Sequence, residues 1–206
     1  MAEVKARAGV SGLVLASASP FRRRLLEAAG VAFRVVPAKV DEGAIKRGPG
    51  AGLGPAALAE TLAAAKAEAV SRECGNALVI GSDQVAALGS RIFDKPADLA
   101  EARAHLEALR GKTHRLFTAV TLAQNGHTVW RQSESATLTM RAFSDDFLDR
   151  YLAEGGTRLC QMAGAYEIEG RGIQLFERIE GDHFTIVGLP LVPLLAELRA
   201  RGALPA

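Results

Sequence analysis

The sequence predicts an α/β fold of two lobes around a central cleft, and three observations carry that prediction. Short apolar runs alternate with longer amphipathic segments along the whole chain, which is the pattern of strands and helices in turn. One stretch in the middle breaks the alternation with two long strand-like segments joined at Asn125-Gly126, a hairpin signal. At 206 residues, 49% of them hydrophobic, the chain can bury a proper core. No stretch is distinct enough to act as a linker, so residues 1–206 read as one domain.

Taken in order, residues 13–16 (Leu-Val-Leu-Ala) form a short buried strand. Ser19 is placed as an N-cap and Pro20 as the first residue of a helix that Gly30 stops. Residues 33–36 read as a second strand leading into Val40-Asp41-Glu42. The glycine-rich residues 48–54 lack the Gly-Lys-Ser/Thr ending of a phosphate-binding loop and read as a flexible connection. Pro55 opens a helix to Arg72, and residues 77–80 form a strand that delivers Gly81-Ser82-Asp83-Gln84. After Asp94-Lys95, Pro96 begins a helix through Leu109. The hairpin occupies 116–123 and 128–143, and Ser144-Asp145-Asp146 caps a helix to Glu154. Residues 173–179 and 184–187 read as strands, and a helix over 190–201 ends the set.

Bulk properties exclude several functions. The formal net charge is only +2, and aromatic residues make up 5% of the chain with no basic stretch interleaved among them, so nucleic acid is not a required partner. The longest apolar runs fall well short of a bilayer span, and no signal-peptide core precedes them, so a soluble cytoplasmic protein is expected. Cys74 and Cys160 form no Cys-x-x-Cys pair and the four histidines have no ligand spacing, so neither structural zinc nor a disulfide is expected.

Several charged residues sit where packing alone would not put them. Arg22, Arg23 and Arg24 crowd the first turn of a helix, whose N-terminus already carries a partial positive charge, so each cation there costs about 0.3–1 kcal/mol unless compensated. Either an anion held with Ser17 and Ser19 compensates, or the arginines reach water and Glu27. Lys66 falls within an apolar stripe of Leu58, Leu62, Ala65, Ala69 and Val70, where it either snorkels to the rim or points into a cleft as a phosphate ligand. Lys95, beside Pro96, repeats the cation at a helix start. Asp83 ends an apolar strand, a position that serves ligands or turns in α/β folds. The acidic pair Asp41-Glu42 either holds a divalent ion or is solvated. Together these supply cations, a strand-end carboxylate and a second carboxylate, the parts phosphoanhydride hydrolysis needs.

The motifs SASPFRRRLL, VDE at 40–42, AAAKA around Lys66, IGSDQV at 80–85, DKP at 94–96, AGAYEIEG at 163–170 and VGLPL at 187–191 resemble the Maf family of nucleoside triphosphate pyrophosphatases, in order and over nearly the whole chain. The resemblance implies an inosine-triphosphatase-like α/β fold with a mixed twisted sheet, a homodimer, and hydrolysis between the α and β phosphates with a divalent cation, Mg or Mn. It implies Asp83 as general base, with Ser17, Ser19, Arg22, Arg23, Lys66 and Lys95 binding the triphosphate and Glu42 helping to hold the metal. Phe21, Gln84 and Glu169 stand at the positions that separate branches of the family and resemble the branch acting on 7-methyl-GTP. Glu169 matches the donors of a guanine edge, and Phe21 suits the face of a cationic base. The competing expectation is a regulator without catalysis that uses the same basic cleft to sense nucleotides or bind nucleic acid. Arg24 matches no ligand and is assigned to the helix surface.

Overall fold

The computed structural model describes residues 12–205, and the N-terminal leader reading lies outside them. A seven-stranded mixed sheet organises the chain. It is built from β1 (Leu13–Leu15), β2 (Arg34–Val35), β3 (Leu78–Leu88), β4 (Arg91–Phe93), β5 (Thr113–Gln124), β6 (His127–Met140) and β7 (Phe176–Glu180). The helices are α1 (Pro20–Ala28), α2 (Glu42–Arg47), α3 (Pro55–Ser71), α4 (Leu99–Leu109), α5 (Asp145–Gly155), α6 (His183–Val187) and α7 (Leu191–Ala200), with 3-10 turns at Gly156–Gln161, Ala163–Ala165 and Arg171–Leu175. Strand order is β2-β1-β3-β5-β6-β7, with β4 also on β3. Only the β1 pairings are parallel. The α/β expectation is met, and among the described residues no helix is long and apolar enough to cross a membrane.

β3 is the axis of the molecule. Alternate residues of a strand face opposite sides, and here the two sides do different things. Toward one side, Val79 and Val85 pack under α3 with Ala63, Ala59 and Val70. Toward the other, Ile80 belongs to a core with Leu15, Leu26 and Leu194, while Ala86 belongs to a second core with Leu106, Leu138 and Leu152. Those two cores are the two lobes. Between them, β1 pairs with β3 only at 78–80 and β4 only at 86–88, so that edge of β3 has no registered partner at 81–85. A cleft opens there because neither short strand reaches across it.

Local chemistry explains most elements and corrects several expectations. Ser19 caps α1 by accepting from Arg22 N at 3.4 Å, Pro20 is the first helical residue, and Ser144 caps α5. Asn125 and Gly126 turn the hairpin with φ of 52° and 83°, the left-handed pair this turn requires. The strand expected to end at Ile80 instead runs to Leu88, so Asp83 lies within a central strand and not at its end. The helix expected from Pro96 starts at Leu99, because Asp98 caps it by accepting from Glu101 N at 2.8 Å; Lys95 is therefore not beside a helix end. Residues 184–187 form α6 and not a strand: Asp182 accepts from Thr185 N at 2.7 Å, and Gly188 at φ 122° ends the single turn. The strand expected over 173–179 begins only at Phe176. On α3 the buried stripe includes Ala63, Ala67 and Ser71, while Ala65 and Ala69 are half-buried, so the face is rotated from the one expected. The acidic loop at 41–42 begins a helix, with Asp41 spent as its cap on Ala44 N at 2.8 Å.

Candidate active site

A cavity of about 750 Å³ fills the cleft at the open edge of β3, within the range of small-molecule sites. It is lined by ten of the eleven residues to which the family resemblance gives a catalytic, binding, specificity or metal role: Ser17, Ser19, Phe21, Arg22, Glu42, Lys66, Asp83, Gln84, Lys95 and Glu169. Arg23 is the exception. Its Nε donates to Glu27 Oε1 at 2.7 Å on the exposed flank of α1, as expected for a helix-surface pair.

At the centre, Lys66 Nζ donates to Asp83 Oδ1 at 2.5 Å and lies 2.7 Å from Glu42 Oε1. Gly81 makes this approach possible. A Cβ there would fall 2.4 Å from the Ala63 carbonyl oxygen, so α3 sits closer to β3 than any side chain would allow. Asp83 is two residues further along the same face of β3, and Lys66 is one turn from Leu62, which packs on that face. The Lys66 and Asp83 side chains are 12% and 11% exposed, which keeps the pair from the screening that weakens surface ion pairs. At Glu42, partial burial pushes the carboxyl up, but the hydrogen bond and charge of Lys66, with Lys46 and Lys95 beyond it, win and hold it below its ordinary value.

Arg22 forms the second anchor. Its Nε donates to the Gly188 carbonyl at 2.8 Å and its Nη1 to Ser17 Oγ at 3.2 Å, while Ser19 N donates to the same Ser17 oxygen at 3.2 Å. Burial lowers the guanidinium from its ordinary value, and Asp83 and Glu42 oppose that shift; Arg22 stays a cation because it starts so far above neutral pH. Gly188 O also accepts from Ser82 Oγ at 3.1 Å. β3 thus works on both faces, aiming Asp83 at Lys66 and using Ser82 and Gln84 to fix α6. The Gln84 amide donates to Thr118 Oγ1 at 2.9 Å and to the carbonyls of Thr185 and Ile186 at 3.0 and 3.1 Å. Two carbonyl acceptors fix which end of that amide points inward.

Lys95 is exposed at the cavity wall and adds to the field on Glu42. Phe21 and Glu169 line the cavity, and Arg24, which does not line it, contacts both from the exposed side. Its guanidinium stands 5.0 Å from the Phe21 ring centre and 3.3 Å from Glu169 Oε2, so the residue assigned to the helix surface in fact touches both candidate base readers. Sequence reasoning also passed over Lys46, which lines the cavity and pairs with Asp94 across it. The signal available was its spacing of four from Glu42, one helical turn, behind the capping Asp41. Tyr166 lines the wall with its hydroxyl on His114 Nε2 at 2.7 Å.

Among the described residues, no group of three or more His, Cys, Asp or Glu side chains converges as a metal cage. Glu42 and Asp83 nonetheless share one ammonium, so their oxygens lie within a few ångström of each other. Two carboxylates with remaining positions open match the way Mg²⁺ is usually held with phosphate oxygens and water. The arrangement as a whole can receive a polyanion along Ser17, Arg22, Lys66 and Lys95, with a carboxylate beside it and an apolar, acidic outer end.

A family model described as Maf-like protein matches residues 12–201. The chain is 51% identical over 195 residues, covering 94% of it and 98% of the relative, to a protein of Rhizobium meliloti (strain 1021) named 7-methyl-GTP pyrophosphatase. It is 49% identical over 193 residues, 93% of this chain and 98% of the relative, to a Granulibacter bethesdensis protein named nucleoside triphosphate pyrophosphatase. A Paramagnetospirillum magneticum protein of that same name is 51% identical over 192 residues, 93% and 99% of the two chains. With the motifs in order, the cleft at β3 and a match spanning nearly the whole chain, the protein belongs to the Maf-like protein family.

Proposed function

We propose that this protein hydrolyses the α-β phosphoanhydride of nucleoside triphosphates, 7-methyl-GTP among them, releasing nucleoside monophosphate and diphosphate. The single observation that carries the reading is the Lys66 ammonium held between Asp83 and Glu42 inside a cavity whose other wall is Arg22 and Ser17. The names of the relatives support the substrate class and the reaction.

In this reading the triphosphate lies along Ser17, Ser19, Arg22, Lys66 and Lys95, which neutralise its charge as the transition state develops. Asp83 takes a proton from the attacking water; the new P–O bond forms as the anhydride P–O bond breaks, and the electron pair leaves on diphosphate. Arg23 has no part, since it lies with Glu27 outside the cavity. Glu42 would help to hold a divalent cation, Mg²⁺ or Mn²⁺, which when bound would offset phosphate charge. At the outer end, Glu169 accepts from the edge of a guanine-type base and Phe21 takes its face, an arrangement that favours a cationic base by about 0.5–2 kcal/mol. Gln84 acts on specificity through α6, whose carbonyls occupy its amide. The family resemblance adds a cytoplasmic homodimer.

The test is product analysis. With Mg²⁺ or Mn²⁺, a panel of normal and methylated nucleoside triphosphates should give pyrophosphate and the monophosphate in equal amounts. Orthophosphate as the first product would overturn the assignment of the bond.

A further inference from the structure

We propose that Arg24 is a specificity-determining residue: in the free protein its guanidinium contacts Phe21 and Glu169, two residues that line the cleft, as an internal stand-in for a cationic base, which must displace it. The proposal rests on the reading of Phe21 and Glu169 as base contacts and extends it to a residue that reading did not include.

Phe21 offers a π face and Glu169 a carboxylate, a combination selective for a planar cation with N–H donors at its edge. The structure holds one such group already. Arg24 Cζ stands 5.0 Å from the Phe21 ring centre, and Nη2 donates to Glu169 Oε2 at 3.3 Å. A guanidinium is flat, charged and rimmed with donors, as is an N7-methylated guanine. His183 adds a weaker approach to the other Glu169 oxygen at 3.9 Å, so Oε1 remains reachable while Arg24 holds Oε2.

The chemistry then separates two kinds of base. A neutral guanine can share Glu169 with Arg24, because the carboxylate and guanidinium together are neutral. A cationic base cannot: two cations would compete for one carboxylate, so Arg24 must leave. Arg24 therefore moderates the preference for cationic bases that Phe21 and Glu169 alone would impose. The surface of α1 alone gives Arg24 no reason to reach a residue 145 positions away.

The experiment compares 7-methyl-GTP with GTP, reading KM and kcat separately, for wild type, Arg24→Ala, Glu169→Gln and the double variant. Taking the ratio of the two substrates cancels the effect of Arg24's charge on the shared triphosphate. Arg24→Ala should raise the preference for 7-methyl-GTP up to about fivefold, the strength of an exposed ion pair, with the change falling on KM. The gain should shrink in the Glu169→Gln background. An unchanged or lower preference in Arg24→Ala, while Glu169→Gln does lower it, would refute the stand-in and leave the base reading standing. A preference untouched by Glu169→Gln would refute the base reading, and the stand-in with it.

Discussion

Gly81→Ala tests how the fold creates the site, because one methyl group is enough to push the two central elements apart. The added Cβ would fall 2.4 Å from the Ala63 carbonyl oxygen and 2.7 Å from both Ala67 N and Ala67 Cβ. Non-bonded heavy atoms settle at about 3.5 Å, so α3 has to retreat by about 1 Å. The obstructing atoms are mostly backbone, and no side-chain rotation relieves them. Overpacking of this kind costs about 1–3 kcal/mol, which for a chain of this length lowers the melting temperature by about 2–12 °C. Catalysis should suffer as well as folding. Lys66 rides on α3 and Asp83 on β3, so the same retreat stretches their 2.5 Å contact. A displacement of ~1 Å in a reacting geometry costs about 100-fold. The assay pairs a thermal melt with pyrophosphate release at saturating substrate. A variant that melts and turns over like the parent would refute the claim that close packing at Gly81 sets the Lys66–Asp83 geometry.

Further expectations follow from neighbouring residues. Arg22→Lys loses the Nε bond to Gly188 and the fixed fork that also reaches Ser17; hydrogen bonds of charged groups contribute about 1.5–3 kcal/mol, so kcat/KM should fall about tenfold or more. Arg23→Gln breaks only an exposed pair with Glu27 and should move kcat/KM little, which steady-state assays of the two variants side by side will decide. His114 is pushed down to about 4 by burial, from 6.5. Between those values the unfolded chain binds the extra proton, so the contribution of the neutral ring is intact above pH 6.5 and is lost progressively as pH falls to 4. That loss is on the order of 3 kcal/mol, and His114→Gln should flatten the stability profile across that window in denaturant titrations.

Much of the fold was legible in the sequence, as were most of the residues that line the cavity, and the failures share a physical cause. Where one residue acts on its own backbone, local chemistry was enough: Ser19 and Ser144 as caps, Pro20 at a helix start, Asn125-Gly126 as a hairpin turn. Where a residue's role depends on a distant element, it was misread. Gly81-Ser82-Asp83-Gln84 does not look like strand, because its polarity is matched only by the α3 backbone, Gly188 O, Lys66 and the α6 carbonyls. Phe184 to Val187 looks like strand because it is apolar and partly β-branched, yet Asp182 and Gly188 close it into a turn of helix. Lys95 and Asp83 lie on the cavity although the local reasons first offered for them do not hold, since β4 and the open edge of β3 bring them there. Arg24 shows the same limit from the other side: Glu27 one turn along the helix accounts locally for Arg23, whereas nothing local places Arg24 against Glu169.

The measurement that bears most directly on the central claim is pyrophosphate release by Asp83→Asn beside a thermal melt of the same variant. Glu42 still pairs with Lys66 when the Asp83 charge is removed, so the variant should fold. The account predicts a near-parental melt with turnover reduced by at least about 100-fold, the contribution of a positioned general base. Full activity in Asp83→Asn would contradict it.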